Sequence, residues 1–240
     1  MTRLFRILSA LAAALCVAAG MSAQTHGAAG VTVSPPDLEA IKAAVNDRTS
    51  PYYYPRLMAE YERNDTAMKL DKYRHLYFGY RFQEDYNPYR PKAVSGHIPD
   101  PAENPGLTRS ECDSVIAMCN RDLKDAPFDL RRMMKLISAL RMKGKTNLAN
   151  IWQYKLDYIL MAIVSSGTGL DEENAWYVVE PEHEYVLLNA MGLRAQNHLF
   201  YEPCFEYITI ERADKSAPEG YYFNIKGILE EYYRKYPEEK

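Results

Sequence analysis

The chain is short of the residue patterns that usually announce chemistry. No C-x-x-C pair occurs, which excludes a thioredoxin-type redox motif and a zinc ribbon. No H-E-x-x-H occurs either: Leu187 stands where His183 would need its second ligand. A G-x-S-x-G elbow and a G-x-x-x-x-G-K-[ST] loop are both missing. Ser165-Ser166-Gly167-Thr168-Gly169 is glycine-rich but follows no strand, so it reads as a helix C-terminus leading into a turn. Basic excess is absent too. Lys and Arg number 29 against 32 Asp and Glu, so there is neither a basic stripe for nucleic acid nor a polybasic membrane patch. No cofactor and no metal site is expected from these patterns. They leave enzymatic activity unsettled, leaning against it.

Long apolar runs are missing except at the start. Arg3 and Arg6 precede an apolar stretch from Ile7 to Ala19, and Ala23-Gln24 follows. That order of charge, short apolar run and small residue is a secretory signal peptide, expected over residues 1–23. The run is too short to span a bilayer, and no later segment is a transmembrane candidate. Leu15 before Cys16 argues against a lipoprotein. The expected location is therefore the periplasm or the exterior. Residues 24–36 are small, polar and Gly/Pro-containing, and read as a flexible lead.

Cysteine is scarce as well. Past the signal peptide only Cys112, Cys119 and Cys204 remain. Cys112 and Cys119 sit on one expected helix, about 10 Å apart along it, which is too far for a mutual disulfide. One of them could pair with Cys204, or all three could be small buried apolar residues.

What the chain has in quantity is tyrosine: 20, against 7 Phe and 2 Trp. The densest stretch is Leu70–Tyr89. Tyr73, Leu76, Tyr77 and Tyr80 recur at helical spacing, Phe78 and Phe82 fall on other faces, and Gly79 allows close approach. A helix with large side chains nearly all round is a hub enclosed by neighbours, running here to about Asp85. Further helices are expected over residues 37–45 and 56–62, after the Thr108-x-x-Glu111 capping box, after Pro127, and from Thr146 to about Ser165. The last two, turning at Gly144 with Ala149 in the second, resemble one tetratricopeptide hairpin; a single copy makes no array. After residue 172 the pattern changes. Trp176–Val179, Leu199–Tyr201, Phe205–Glu211 and Tyr221–Ile225 read as strands, the middle two half-buried, with a helix from Tyr185 ending at Gly192. The expected class is α+β: one domain over 37–240, its helical part at 37–166 and a small antiparallel sheet at 172–240.

Several blocks carry a resemblance. Ser50-Pro51-Tyr52-Tyr53-Tyr54-Pro55-Arg56-Leu57, Tyr73-Arg74-His75-Leu76-Tyr77-Phe78-Gly79-Tyr80, Ser166-Gly167-x-Gly169, His183-Glu184-Tyr185 and Tyr221-Tyr222-Phe223 resemble a family of secreted bacterial proteins known as domain of unknown function 4919. The resemblance covers about Leu38 to Ile228 and implies an exported protein. It implies no catalytic residues.

Three constellations stand out. Tyr52, Tyr53, Tyr54, Tyr86 and Tyr89 could form a groove at the ends of the hub, suited to a glycan or a protein partner. Arg56, Arg74, His75, Arg81, Glu84 and Asp85 lie on or beside the hub. Arg81 can reach Glu84 or Asp85 along the helix, and Glu84 falls on the tyrosine face, where a partly buried carboxylate needs Arg56 or Arg74. Glu182-His183-Glu184 reads as a surface turn; its chemical alternative is a general base, with Glu84, His183 and Glu184 as a hydrolase's acid-base set. The preferred reading is a non-enzymatic binding or interaction module with a tyrosine-rich surface. Asn64-Asp65-Thr66 also offers a glycosylation triplet.

Overall fold

The computed structural model describes residues 33–89, 100–212, 214 and 216–239. The expected signal peptide, most of the expected lead and residues 90–99 of the proline-rich loop lie outside the described residues. Among the described residues there are eight α-helices: α1 (Leu38–Asn46), α2 (Tyr54–Glu62), α3 (Leu70–Gly79), α4 (Arg109–Asp125), α5 (Leu130–Met142), α6 (Thr146–Val164), α7 (Glu182–Ala190) and α8 (Lys226–Lys235). Four strands, β1 (Trp176–Tyr177), β2 (Ala195–Tyr201), β3 (Phe205–Ile210) and β4 (Gly220–Asn224), form one sheet in the order β1-β4-β3-β2. The class is α+β.

The caps explain where the helices start. Asp37 and Asp129 accept the amides of Ala40 and Arg132 at the heads of α1 and α5. Thr108 and Glu111 close the expected capping box on α4. Pro55 opens α2 in its first turn, where a missing amide hydrogen costs nothing. Gly144, at φ +75°, supplies the left-handed turn between α5 and α6, and Ala149 beyond it is fully buried.

The hub is enclosed as its sequence predicts. Tyr73, Leu76, Tyr77 and Phe78 of α3 are all 1 % exposed or less. Helices α1, α2 and α6 pack on it. At Gly79 an added Cβ would stand 2.7 Å from a Val45 methyl, so the glycine is what lets α1 approach. One core runs from Ile41 to Ile228 and joins the helices to the sheet.

Three expectations change. The hub does not continue to Asp85: it tightens to a 3₁₀ turn at Tyr80–Phe82, and Gln83 is extended. The sheet is mixed, because β1 lies parallel to β4 (Trp176 beside Phe223) while β2, β3 and β4 pair antiparallel. Strand β2 is not half-buried; all seven residues are exposed, as befits an edge with no layer over it.

The glycine-rich stretch is the joint between the two parts. Ser166 Oγ accepts the Tyr177 amide, and the Gly167 carbonyl accepts Trp176 Nε1 at 3.0 Å. Ser34 donates its amide to the Ser165 carbonyl, so the last residues of the expected lead run along the fold. Cys112, Cys119 and Cys204 are free and buried, the second of the two alternatives above.

Candidate functional site

A groove of about 710 Å³ opens between α2, α4, α5 and α6. The volume falls in the range of small-ligand sites. Its walls are largely apolar, with Met58, Leu123, Leu136 and Leu148 among them. Its most unusual member is Lys155. A single turn of α6 places Trp152 and Lys155 on one side, three residues apart. The Lys155 ammonium sits 4.3 Å from the Tyr61 ring centre and 4.4 Å from that of Trp152. Tyr61 is fixed by donating its hydroxyl to the Pro127 carbonyl. Two aromatic faces around one cation stabilise it electrostatically.

Lys155 is nevertheless only 3 % exposed, and its amine makes no hydrogen bond to any described residue. Burial lowers its pKa to about 8, with the Glu62 charge acting weakly the other way. The ordinary value is 10.5. Between these values the unfolded chain holds a proton that the folded chain has released, so stability rises with pH across that window. Below it the full cost of burying the cation remains. Lys155→Met is therefore expected to stabilise the protein near neutral pH by about 1–3 kcal/mol. The difference between the two chains should shrink towards pH 10, and denaturant titration at several pH values measures it. Tyrosine ionisation affects both chains alike. A gain that stays constant with pH would show that the amine is not held as described.

None of the tyrosine, Arg/Glu or His183 candidates singled out in the sequence lines this groove, although Asn64 of the glycosylation triplet does. Tyr54 and Tyr86 are buried core residues, and Tyr86 donates its hydroxyl to the Val179 carbonyl, so they cannot wall an open tyrosine groove. Tyr52 stacks on His75 at 3.7 Å and donates to Asp71; Tyr53 is half-buried, and Tyr89 donates to the Ile228 carbonyl. Other tyrosines gather on the outer face of the sheet, where half-buried Tyr207 packs 4.5 Å from half-buried Tyr222 with exposed Tyr201 beside both.

The expected ion-pair network dissolves in the same way. Arg81 pairs with Glu230 of α8, not with Glu84 or Asp85. Arg74 donates to the Ser165 and Ser34 carbonyls, and Arg56 to those of Ser50 and Arg48. Glu84 is exposed, because the extended backbone at Gln83 turns it off the hub's inner face.

The Glu182-His183-Glu184 turn is instead the start of α7, and two of its three residues are buried. His183 faces α3: its Nδ1 lies 2.7 Å from the Tyr77 hydroxyl and its Nε2 2.9 Å from the Phe128 carbonyl. Glu184, one residue on, faces the sheet near Glu206. Its pKa is raised well above the ordinary carboxylate value, first by burial and then by Glu206. The acid-base set of Glu84, His183 and Glu184 is thus distributed over separate surroundings.

Sequence reasoning missed Lys155 and Trp152 as site residues, although a signal was there. Lys155 interrupts an apolar stripe at the spacing of Trp152, Leu156 and Ile159. No curated protein and no solved structure matches the chain significantly. A family model matches residues 39–234, most of the chain. The chain belongs to the family described as Domain of unknown function (DUF4919).

Proposed function

We propose that this is an exported binding module whose groove at Lys155 receives a peptide segment of another protein, an acidic side chain entering beside apolar ones. One observation carries this reading: the cation of a side chain only 3 % exposed is held between two aromatic rings in the wall of the groove. An incoming carboxylate would supply the acceptor and the counter-charge in a shielded setting, where charge-assisted bonds are strongest. Lys124 and Lys145 at the rim make the approach favourable to an anion, against one acid, Glu62. The leucine-rich walls suit apolar side chains better than the many hydroxyls of a sugar. Export rests on the leader read over residues 1–23.

The test uses a built-in reporter. Trp152 lines the groove and Trp176 is fully buried, so fluorescence changes on titration report the groove. An acetylated peptide of alternating Leu and Glu is expected to change Trp152 emission. Its Leu-Lys counterpart and an oligoglucuronate are expected not to. Lys155→Met should weaken the Leu-Glu peptide roughly tenfold or more, the worth of a charged hydrogen bond. No response to the acidic peptide, or an undiminished one in Lys155→Met, would reject the reading; a response to the oligoglucuronate alone would replace the peptide with a sugar.

A further inference from the structure

Glu184 is the most anomalous side chain outside the groove. It is completely buried, and neither carboxylate oxygen receives an N–H or hydroxyl hydrogen bond; the group that faces it is the Glu206 carboxyl, which can bond to it only through a shared proton. Two carboxyl groups facing each other with no other donor call for a physical explanation. Its surroundings supply one. In the β2–β3 pairing, Phe200 stands opposite Glu206 and His198 opposite Ile208. His198 and Glu206 therefore share the face of the sheet that carries Ile208, the face towards the core. Helix α7 brings Glu184 to the same place. One ligand atom from each of Glu184, His198 and Glu206 lies within 4.8 Å of the other two.

We propose that Glu184, His198 and Glu206 form a binding site for a first-row divalent cation, with zinc the best fit. Three features of the residues support the assignment. First, the charges balance: two carboxylates and a neutral imidazole neutralise a divalent ion, and no lysine or arginine among the described residues pairs with Glu184 or Glu206. Second, the geometry is nearly formed. His198 Nε2 and Glu206 Oε2 are 3.2 Å apart. Two ligands bound to zinc at about 2.1 Å and tetrahedral angles stand about 3.4 Å apart. All three separations lie within 4.8 Å, so the widest exceeds that spacing by no more than about 1.4 Å. Third, the donor set discriminates. Calcium prefers six to eight oxygens and magnesium keeps a near-octahedral oxygen shell, whereas an imidazole with two carboxylates suits zinc and its neighbours.

The site also has a way in. The His198 side chain is 43 % exposed, on an edge strand whose seven residues are all exposed, while Glu206 is 16 % exposed and Glu184 forms the floor. Three protein ligands leave a fourth position on that open side for water or a ligand atom, as zinc sites that do more than hold a fold keep one. The ring of Tyr185 stands edge-on to His198 at 6.4 Å and borders that opening. The site rests on residues that the groove at Lys155 does not use, so either assignment can fail without the other.

Calorimetry on untagged protein, stripped with chelator and titrated with zinc chloride, tests the site. One zinc per chain is expected, with a thermal midpoint that rises on binding. His198→Asn changes an exposed side chain and should leave the folded protein intact while weakening zinc at least tenfold. Glu184→Gln replaces a carboxylate ligand by a neutral amide of the same size, so the metal-free protein should keep its fold while the zinc-dependent rise in midpoint is abolished. A structural carboxyl would show the reverse, a lowered metal-free midpoint with the zinc-dependent rise intact. Absence of zinc binding overturns the proposal, as does binding left unchanged in both variants, which would assign the metal to other groups such as the cysteines.

Discussion

Gly167→Ala should be the most damaging small substitution in the chain, costing about 4 kcal/mol or more. The methyl it adds would stand 2.1 Å from the Asn174 carbonyl oxygen and 2.7 Å from that of Ala175. Both obstacles are backbone, so neither can rotate away. Asn174 cannot retreat cheaply, because its carbonyl accepts the amides of Thr168 at 2.8 Å and Gly169 at 2.7 Å. Gly167 cannot retreat either, since its own carbonyl holds the indole of Trp176. That indole stacks on Tyr221 at 4.8 Å and anchors the sheet to the end of α6. Relief of the clash must break several buried hydrogen bonds at about 1 kcal/mol each, on top of the overpacking strain. Denaturant unfolding followed by tryptophan emission measures the loss. Gly106→Ala, with nothing within 4 Å of the added methyl, is the control. A Gly167→Ala protein as stable as the control would mean that the joint is not built this way.

The same joint shows how far the sequence can be read. The helices were legible because their information is local: apolar spacing, a capping box and a turn glycine each act within a few residues. The hub was legible for another local reason, in that large side chains nearly all round leave it no side for water. Its end was not. Periodicity carries Glu84 onto the tyrosine face only if the helix keeps its pitch, and the chain instead tightens at Tyr80 and then extends at Gln83. Arg81 illustrates the parallel failure for charges. Carboxylates three and four residues away look sufficient, yet the partner taken is Glu230 of α8, which no local rule can weigh. Strand β1 is two residues long and parallel to β4, so its pairing depends wholly on a segment some fifty positions later. The zinc candidate lay between these extremes. Glu206 shares strand parity with Ile208 and Ile210, so a carboxylate on a core face was visible in the alternation. Its partner Glu184 was hidden, because Glu182-His183-Glu184 looks like a polar turn until α7 buries it.

His183→Ala is the second large expected loss, about 3–5 kcal/mol, and it bears on whether this histidine does chemistry. The ring is 1 % exposed. The Phe128 carbonyl can only accept, so Nε2 carries a hydrogen, with the Glu180 carboxylate 3.8 Å from the same nitrogen; Nδ1 bonds the Tyr77 hydroxyl. The Tyr77 oxygen in turn accepts the Val179 amide at 3.2 Å. The chain of bonds ties α3, the head of α5 and the approach to α7 together, and it occupies both ring nitrogens. Alanine takes the ring partner from the Tyr77 hydroxyl, which keeps only the Val179 amide, and the imidazole donor from the Phe128 carbonyl, and it adds a cavity. Tyr77→Phe breaks the same chain at its next link, orphaning the Val179 amide. The two losses therefore overlap. In a double-mutant cycle the combined cost should fall short of the sum by about 1 kcal/mol or more. Additive losses, or a His183→Ala protein whose stability matches wild type, would contradict this network and return His183 to the list of groups free to handle protons.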